Sequence, residues 1–439
     1  MSQREDGGAG SGTPISFDST PRVGPAEPPR GCLRSPLLPD VGVIAIVPDQ
    51  WNGVWQSRHY VLTRLARYFH IVWCRPSAGD RRYGPGGDGR SGRNNFTPTD
   101  RPPGLMIHDR PSWIPDLHRP AALARLTTRE RFRGAQRLLA QRGCDRVVLS
   151  LWRPSDAAAL ELIPHSVSCY HIDDEYTFSE VEQATSEDEA RLIRKVDQVF
   201  ISSRGLFEKK GHLNPNTLFV PNGVDYAAYI HPWPEPEDLR AIPHPRIGYV
   251  GLIKKQLNLQ LLDALARRHP TWSFVFVGPR RHEDKVGTLI QRLADLPNVH
   301  FLGEKPVSEL PSYTQHIDVC TLCYKVDDYT KFIYPLKLHE SLASGQPGVG
   351  APIRTLRDFA AVLNLADSVE EWSEAIAAML GPAARSEART AARRAVAREH
   401  DWDRLVYHVA AALGDRLGAS YRQRVQQGMP SSQPLAREA

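Results

Sequence analysis

At 439 residues, with 41% apolar and 24% charged side chains, the chain exceeds what one hydrophobic core serves and reads as two domains of an ordinary soluble protein. No run of about 18 apolar residues occurs, which excludes a membrane-spanning helix. The formal net charge of +5 is modest and spread along the chain; it suits anionic ligands or a weak affinity for acidic membranes and argues against a dedicated nucleic-acid binder.

Residues 1–40 are rich in Gly, Pro, Ser and charge, lack the apolar stretch of a signal peptide, and read as a disordered tail. In the expected first domain, 41–225, short apolar runs alternate with helical patterns, as in βαβ units around a parallel sheet. VGVIAIV (41–47), HIVWC (70–74), RVVLSLW (146–152), SVSCYHI (166–172) and QVFIS (198–202) predict buried strands, with helices at VLTRLARYF (61–69) and AQRLLAQRG (135–143). The segment 77–104 is Gly, Arg and Pro with almost nothing to bury: a solvated insertion, or a basic loop over an anionic acceptor or membrane. The basic amphipathic helix after it, 122–143, has two readings as well, core packing on its Leu face or peripheral membrane contact.

A proline-dense stretch, 226–245, reads as a linker. The alternation resumes in a second domain, 246–415, with strands at RIGYVGLI (246–253), SFVFVG (273–278), NVHFLG (298–303), DVCTLCY (318–324) and GVGAPI (348–353), and a helix at LQLLDALARRHP (259–270). Amphipathic helices after residue 366 finish this domain, and 416–439 form a C-terminal tail. Of six cysteines, only Cys320 and Cys323 form a C-x-x-C pair. They sit inside an apolar run with no second pair nearby, so a buried strand is favoured over a redox or metal pair. Scattered cysteines fit a reducing, cytoplasmic setting.

Two doubly wound domains leave a cleft outside the carboxyl ends of their strands, where ligands of such sheets bind. FIYPLKLHESLASGQPGVG (332–350) supplies a helix start there. Pro335 suits the first helical position, and the free amides of Leu336, Lys337 and Leu338 can hold an anion. Lys337 in the first turn opposes the helix dipole unless a phosphate supplies negative charge, and Glu340 follows on the same face. The alternative is an ordinary i,i+3 Lys–Glu pair on a solvated helix.

PLKLHESLASGQP resembles the signature of retaining glycosyltransferases with the GT-B fold, in glycosyltransferase family 4. FVPNGVD (219–225) is similar to the motif closing their N-terminal domain, and RIGYVG to the strand opening their donor domain. RHPTWSFVFVGP and LPNVHFLGEKPVSELPSYTQHIDV match the next two units, and DQWNGVWQSRHYVLTRLARYFHIVWCRP resembles a polysaccharide-building, teichuronic-acid-type subgroup. The likeness runs from about 41 to 415. It implies a UDP- or GDP-sugar donor, a glycan or lipid-linked acceptor, no cofactor or metal, retention of anomeric configuration, and a cytoplasmic location with peripheral contact to the membrane's cytoplasmic face.

Residue by residue, the resemblance puts Glu340 on the ribose hydroxyls, Lys337 on the diphosphate, and the base at the loop Gly303 to Val307. Gly251 would admit the phosphates, with Lys254 and Lys255 just beyond and Asn52 and Gly53 facing them from the first domain. In CYHIDDEYTF (169–178), Asp173, Asp174 and His171 are the catalytic candidates, helix capping by an aspartate and core packing of the histidine being the alternatives. Two departures stand out. Phe332 occupies the place of the family's first glutamate, and Leu252 that of an arginine. Asp327 and Asp328 could compensate for the first or belong to a solvated loop. Two other functions stay open, a non-catalytic subunit of this fold and a sugar-nucleotide epimerase on it.

Overall fold

The computed structural model describes residues 35–75, 101–109, 114, 120–178, 181–280 and 284–430. Most of the expected N-terminal tail, and the unusual 77–104 segment up to residue 100, lie outside them.

The strands form two parallel sheets, one in each half. The first comprises β1 (Leu38–Ile46), β2 (Phe69–Arg75), β3 (Leu105–Asp109), β4 (Arg146–Leu151), β5 (Val167–Ile172), β6 (Gln198–Ile201) and β7 (Thr217–Phe219), in the order β3-β2-β1-β4-β5-β6-β7. The second comprises β8 (Arg246–Val250), β9 (Ser273–Val277), β10 (Val299–Gly303), β11 (Val319–Leu322), β12 (Gly348–Gly350) and β13 (Asn364–Leu365), ordered β10-β9-β8-β11-β12-β13. Register follows the apolar runs: Val43 of β1 lies beside Ile71 of β2 on one side and Val148 of β4 on the other. Strands buried on both faces need such unbroken Val/Ile/Leu runs, and their connecting helices cover the faces. In both sheets the order reverses beside the first strand, which opens a crevice at the carboxyl ends of β1 and β4 and of β8 and β11.

The structure differs from the sequence reading in four places. The first helix is Ser57–Leu65, earlier than expected, because Phe69 already pairs in β2 and leaves only a short turn between. The linker is built into the second half: it carries short helices at Tyr226–Ile230 and Glu237–Arg240, and Leu239 and Ile242 are buried against Val250, Val275 and Tyr313. The Trp402–Leu417 helix, read as closing the second domain, instead buries Trp402, Leu405, Val406, Val409 and Leu413 in the first half's core beside Val43 and Leu62. A further helix, Ala419–Gln426, stands where a tail was expected; it lies against β1, with Arg424 paired to Asp40 at 2.6 Å.

The chain therefore passes between the halves twice, and the two passages run side by side. Val224 N donates to His400 O and Trp402 N to Val224 O, both at 3.0 Å. Arg64 of the Ser57–Leu65 helix clamps them, donating to Asp225 at 3.0 Å and Asp403 at 2.7 Å.

Candidate active site

On the second half's side, the Leu336–Ser344 helix presents its start to the crevice. Pro335 is its N-cap and not its first helical residue, and the amide of Leu338, expected to be free, donates to Pro335 O at 3.3 Å. The amides of Leu336 and Lys337 have no hydrogen-bond acceptor among the described residues. Lys337 Nζ lies 3.5 Å from Glu340 Oε2, so the i,i+3 pair does form. It is not the solvated pair of a surface helix, however. Glu340 is 4% exposed, and its Oε2 has no hydrogen-bond partner among the described residues. The Tyr229 phenol beside it is held un-ionised, by burial first and then by the Glu340 charge. A buried, half-satisfied carboxylate is costly unless a ligand donates to it.

Gly251, just past β8, is pressed onto the Lys337 stem: a Cβ there would stand 2.5 Å from Lys337 Cε. Gly278 and Gly303 continue this edge past β9 and at the end of β10, with Gly251 N donating to Val277 O and Gly278 N to Gly303 O, both at 2.7 Å. At Gly278 a Cβ would come within 2.1 Å of Gly251 O, so only glycine lets the backbones meet. Beyond this floor Lys254 is half-buried with interactions of its own, and Lys255 is exposed. Leu252 is half-buried and its carbonyl accepts from the Tyr249 phenol.

The first half meets this floor with the loop after β1. Gly53 N donates to Gln50 O, closing a turn with Asn52 exposed at its tip. An aromatic cluster of Trp51, Trp55, His59 and Trp73 supports the turn from below. Val307 and Leu336 pack against the apolar cluster to which Trp51 belongs, which draws the 303–307 loop and the helix start together with the first half. A groove of about 580 Å³ lies between Trp233–Asp238 and Lys305–Tyr313. Its rim of Glu235, Glu237, Asp238 and Glu309 repels anions, and Lys305 there is already paired to Asp238 at 2.5 Å.

The catalytic candidates follow β5 and have three different environments. His171 is stacked flat on Trp152, with ring centroids 4.1 Å apart, and tilted against Phe200. Burial holds it neutral, at a pKa of about 3, so it belongs to the core. Asp173 is committed: Arg58 and Arg153 both pair with it, and the Tyr176 phenol donates to it. Burial pushes its carboxyl up, but the two guanidinium charges prevail and hold it below the usual range. Asp174 is the freer of the two. Its Oδ1 accepts from Glu175 N and from the Tyr329 phenol, both at 2.8 Å, while burial and then the Asp173 charge raise its pKa.

Arg58 and Arg153 are residues of the candidate site, paired to Asp173, that the sequence reading missed. Arg153 lies two residues past β4, at a strand's carboxyl end, and Arg58 lies in the first turn after the β1 loop; position in the βα unit was the available signal for both. Arg58 also pairs with Asp49, and its guanidinium lies 5.8 Å from the Trp152 ring.

Phe332 has no access to a ligand. It is 3% exposed and belongs to the first half's core with Leu206, Ile201 and Leu192. The 325–332 segment that carries it docks along the first half. Tyr329 reaches Asp174, Lys331 pairs with Glu182, and the Lys331 carbonyl passes so close to Gly205 that a Cβ there would come within 2.5 Å. Asp327 does not stand in for the missing glutamate, because its Oδ1 accepts from Tyr329 N and Thr330 N within its own turn. Asp328 lies 3.6 Å from Lys331 with a largely exposed side chain.

No family model matches this chain. A curated relative, the teichuronic acid biosynthesis glycosyltransferase TuaH of Bacillus subtilis, is 34% identical over 172 residues, covering 37% of this chain. The match spans 42% of the relative's own length. Among solved structures, a sucrose-phosphate synthase from Thermosynechococcus elongatus superposes with a TM-score of 0.61 at 15% identity, covering 86% of this chain and 98% of its own. HepE of Anabaena in complex with UDP gives 0.60 at 14%, covering 86% and 100%. A glycosyltransferase from Rickettsia africae gives 0.62 at 11%, covering 86% and 99%. The chain has the GT-B fold that these structures share, two parallel α/β sheets facing a crevice.

Proposed function

We propose that the chain is a glycosyltransferase that moves a sugar from a nucleoside-diphosphate donor to a hydroxyl of a glycan or lipid-linked acceptor. The observation that carries this reading is the buried Glu340 carboxylate, with an oxygen lacking a hydrogen-bond partner, beside Lys337 at an open helix start whose floor is Gly251. In the proposed mechanism the ribose hydroxyls donate to Glu340. The diphosphate takes Lys337 Nζ and the amides of Leu336 and Lys337, which stabilise the charge that develops as the glycosidic bond breaks. The loop from Gly303 to Val307 receives the base, and Asn52 and Gly53 face the phosphates. The positive field comes from fixed backbone and lysine, so no step requires a metal.

Asp174 is the carboxylate assigned to the reacting centre, where it orients the acceptor hydroxyl or stabilises positive charge at the anomeric carbon. Retention of configuration and a role in surface polysaccharide synthesis are supported by the family signature and by the partial match to TuaH. A UDP-type donor is supported by HepE, which was solved with UDP and with UDP-glucose. Location at the cytoplasmic face of a membrane belongs to the same proposal; no described helix is long and apolar enough to span one.

The test is a thermal-shift and calorimetric screen of UDP, GDP, CMP and their sugars against the wild type, Lys337→Ala and Glu340→Ala. A ligand that binds the folded state raises the melting temperature by mass action. The expected result is a shift with one nucleotide that both substitutions abolish. No shift with any nucleotide would sink the transferase reading and favour a non-catalytic subunit of this fold.

A further inference from the structure

Asp174, the assigned carboxylate, belongs to the first half, yet of its two hydrogen-bond donors among the described residues one comes from the second. The Tyr329 phenol reaches it at 2.8 Å from the 325–332 segment, which follows β11. The Tyr329 ring is itself held edge-on by Phe178, with centroids 5.1 Å apart. The segment is anchored on both sides of that residue. Asp327 caps its turn through the amides of Tyr329 and Thr330, and Phe332 is sunk in the first half's core. Asp174 is steadied on its own side by a buried charge network. Lys210, with no exposed side-chain surface, pairs with Glu175 at 3.1 Å and Glu189 at 2.9 Å, and Glu175 also accepts from Thr177.

We propose that Tyr329 is a positioning residue that couples docking of the two halves to catalysis, by orienting Asp174 only when the 325–332 segment lies against the first half. The proposal rests on the assignment of Asp174 to the reacting centre. If the halves part, the phenol leaves and Asp174 keeps the Glu175 amide alone. The charged groups around the carboxylate are Asp173 beside it, which raises its pKa, and Arg153 past β4, which lowers it. Arg58 acts through Asp173. The Tyr329 hydrogen bond opposes burial and the Asp173 charge, favouring the ionised form. Loss of that bond therefore raises the pKa further and moves the acid limb of the rate profile to higher pH.

The experiment uses the full chain with Tyr329→Phe, which keeps the ring against Phe178 and deletes one hydroxyl, and Lys331→Gln, which loosens the same segment without touching Asp174. Nucleoside-diphosphate release from the nucleotide sugar that binds is followed against pH. For Tyr329→Phe the expected result is a kcat lowered roughly tenfold, the size of the loss of one orienting hydrogen bond to a charged group. The donor KM stays within about twofold, as for an interaction made mainly in the transition state, and the acid limb is displaced upward. An unchanged kcat and pH profile, or a raised KM with kcat intact, would overturn the proposal. A second readout needs no turnover: amide exchange over 173–178 should quicken in Tyr329→Phe while 330–334 stays protected, and unchanged exchange at 173–178 refutes the coupling. Absence of nucleotide binding in the wild type refutes the transferase reading instead, so the two failures are distinguishable.

Discussion

Phe332 gives the sharpest quantitative expectation, because a side chain of one half completes the core of the other. Truncating a buried phenylalanine to alanine costs roughly 3–5 kcal/mol, of which roughly 2–3 is lost transfer of apolar surface and the rest the cavity left behind. Two ammonium groups also lose the ring they face, Lys209 at 5.1 Å and Lys331 at 5.2 Å. The second half contributes the ring and the first half the apolar cluster that receives it, so Phe332→Ala weakens docking between the halves more than either sheet's own packing. The expected outcome by scanning calorimetry is a split of the unfolding endotherm, with an increased radius of gyration by solution scattering. Phe332→Leu, which refills most of the pocket, falls between wild type and alanine. A single endotherm displaced by less than about 1 °C in Phe332→Ala would refute the latch, since even 1 kcal/mol moves a domain of 150–250 residues by roughly 2–4 °C.

Three further outcomes are expected. Gly251→Ala places a methyl 2.5 Å from Lys337 Cε and displaces the lysine, at a backbone φ of 159° that side chains rarely adopt; nucleotide affinity falls roughly tenfold or more by calorimetry, and the melting temperature falls as well. Asp173→Asn leaves Arg58 and Arg153 buried with their shared counter-charge removed, and chemical denaturation should record a loss of roughly 3–5 kcal/mol. Asp401, at the paired passages, is raised to about 6 by burial and by the charges of Asp403 and Asp225, so the folded chain holds a proton that the unfolded chain releases near 4. Stability from this group is therefore present below pH 4 and lost as pH rises through 6. Asp401→Asn keeps an oxygen to cap the Trp402–Leu417 helix and should gain up to roughly 3 kcal/mol at pH 8 and nothing at pH 4 in paired urea titrations.

What could be read from the sequence divides along a physical line. Interior parallel strands announce themselves, because a strand buried on both faces must be apolar throughout; VGVIAIV and SFVFV are such runs. β3, β7 and β13 escaped because they stand at sheet edges, where LMIHD, TLF and NL are short and mostly half-buried. The apolar face of the Trp402–Leu417 helix was visible, but periodicity does not say which core a face enters, and this one enters the first. In the candidate site, spacing and the dipole argument singled out Lys337 and Glu340 but left an ordinary i,i+3 pair equally open, and only the family resemblance pointed to a donor. Arg58 and Arg153 were not legible, because a buried arginine differs from a solvated one only through its carboxylate partners, and Asp49 and Asp173 are distant in sequence. Phe332 was legible as a departure from the pattern of the resemblance, while its consequence required knowing what the ring packs against.

That consequence bears on how the halves move. The paired passages at Val224 and Asp401 form one attachment, and the 325–332 segment forms a second attachment to the first half. A two-domain enzyme with a single attachment closes on its ligand by swinging about it, and binding energy drives the swing. A second attachment with a buried aromatic anchor resists such a swing. The Ser57–Leu65 helix touches both regions, with Arg58 on Asp173 near its start and Arg64 on Asp225 and Asp403 near its end. Rotation about the passages must therefore tilt the helix that holds Asp173, and Asp174 follows its neighbour. In this chain position 332 is therefore a fastening between the halves and does not face the crevice.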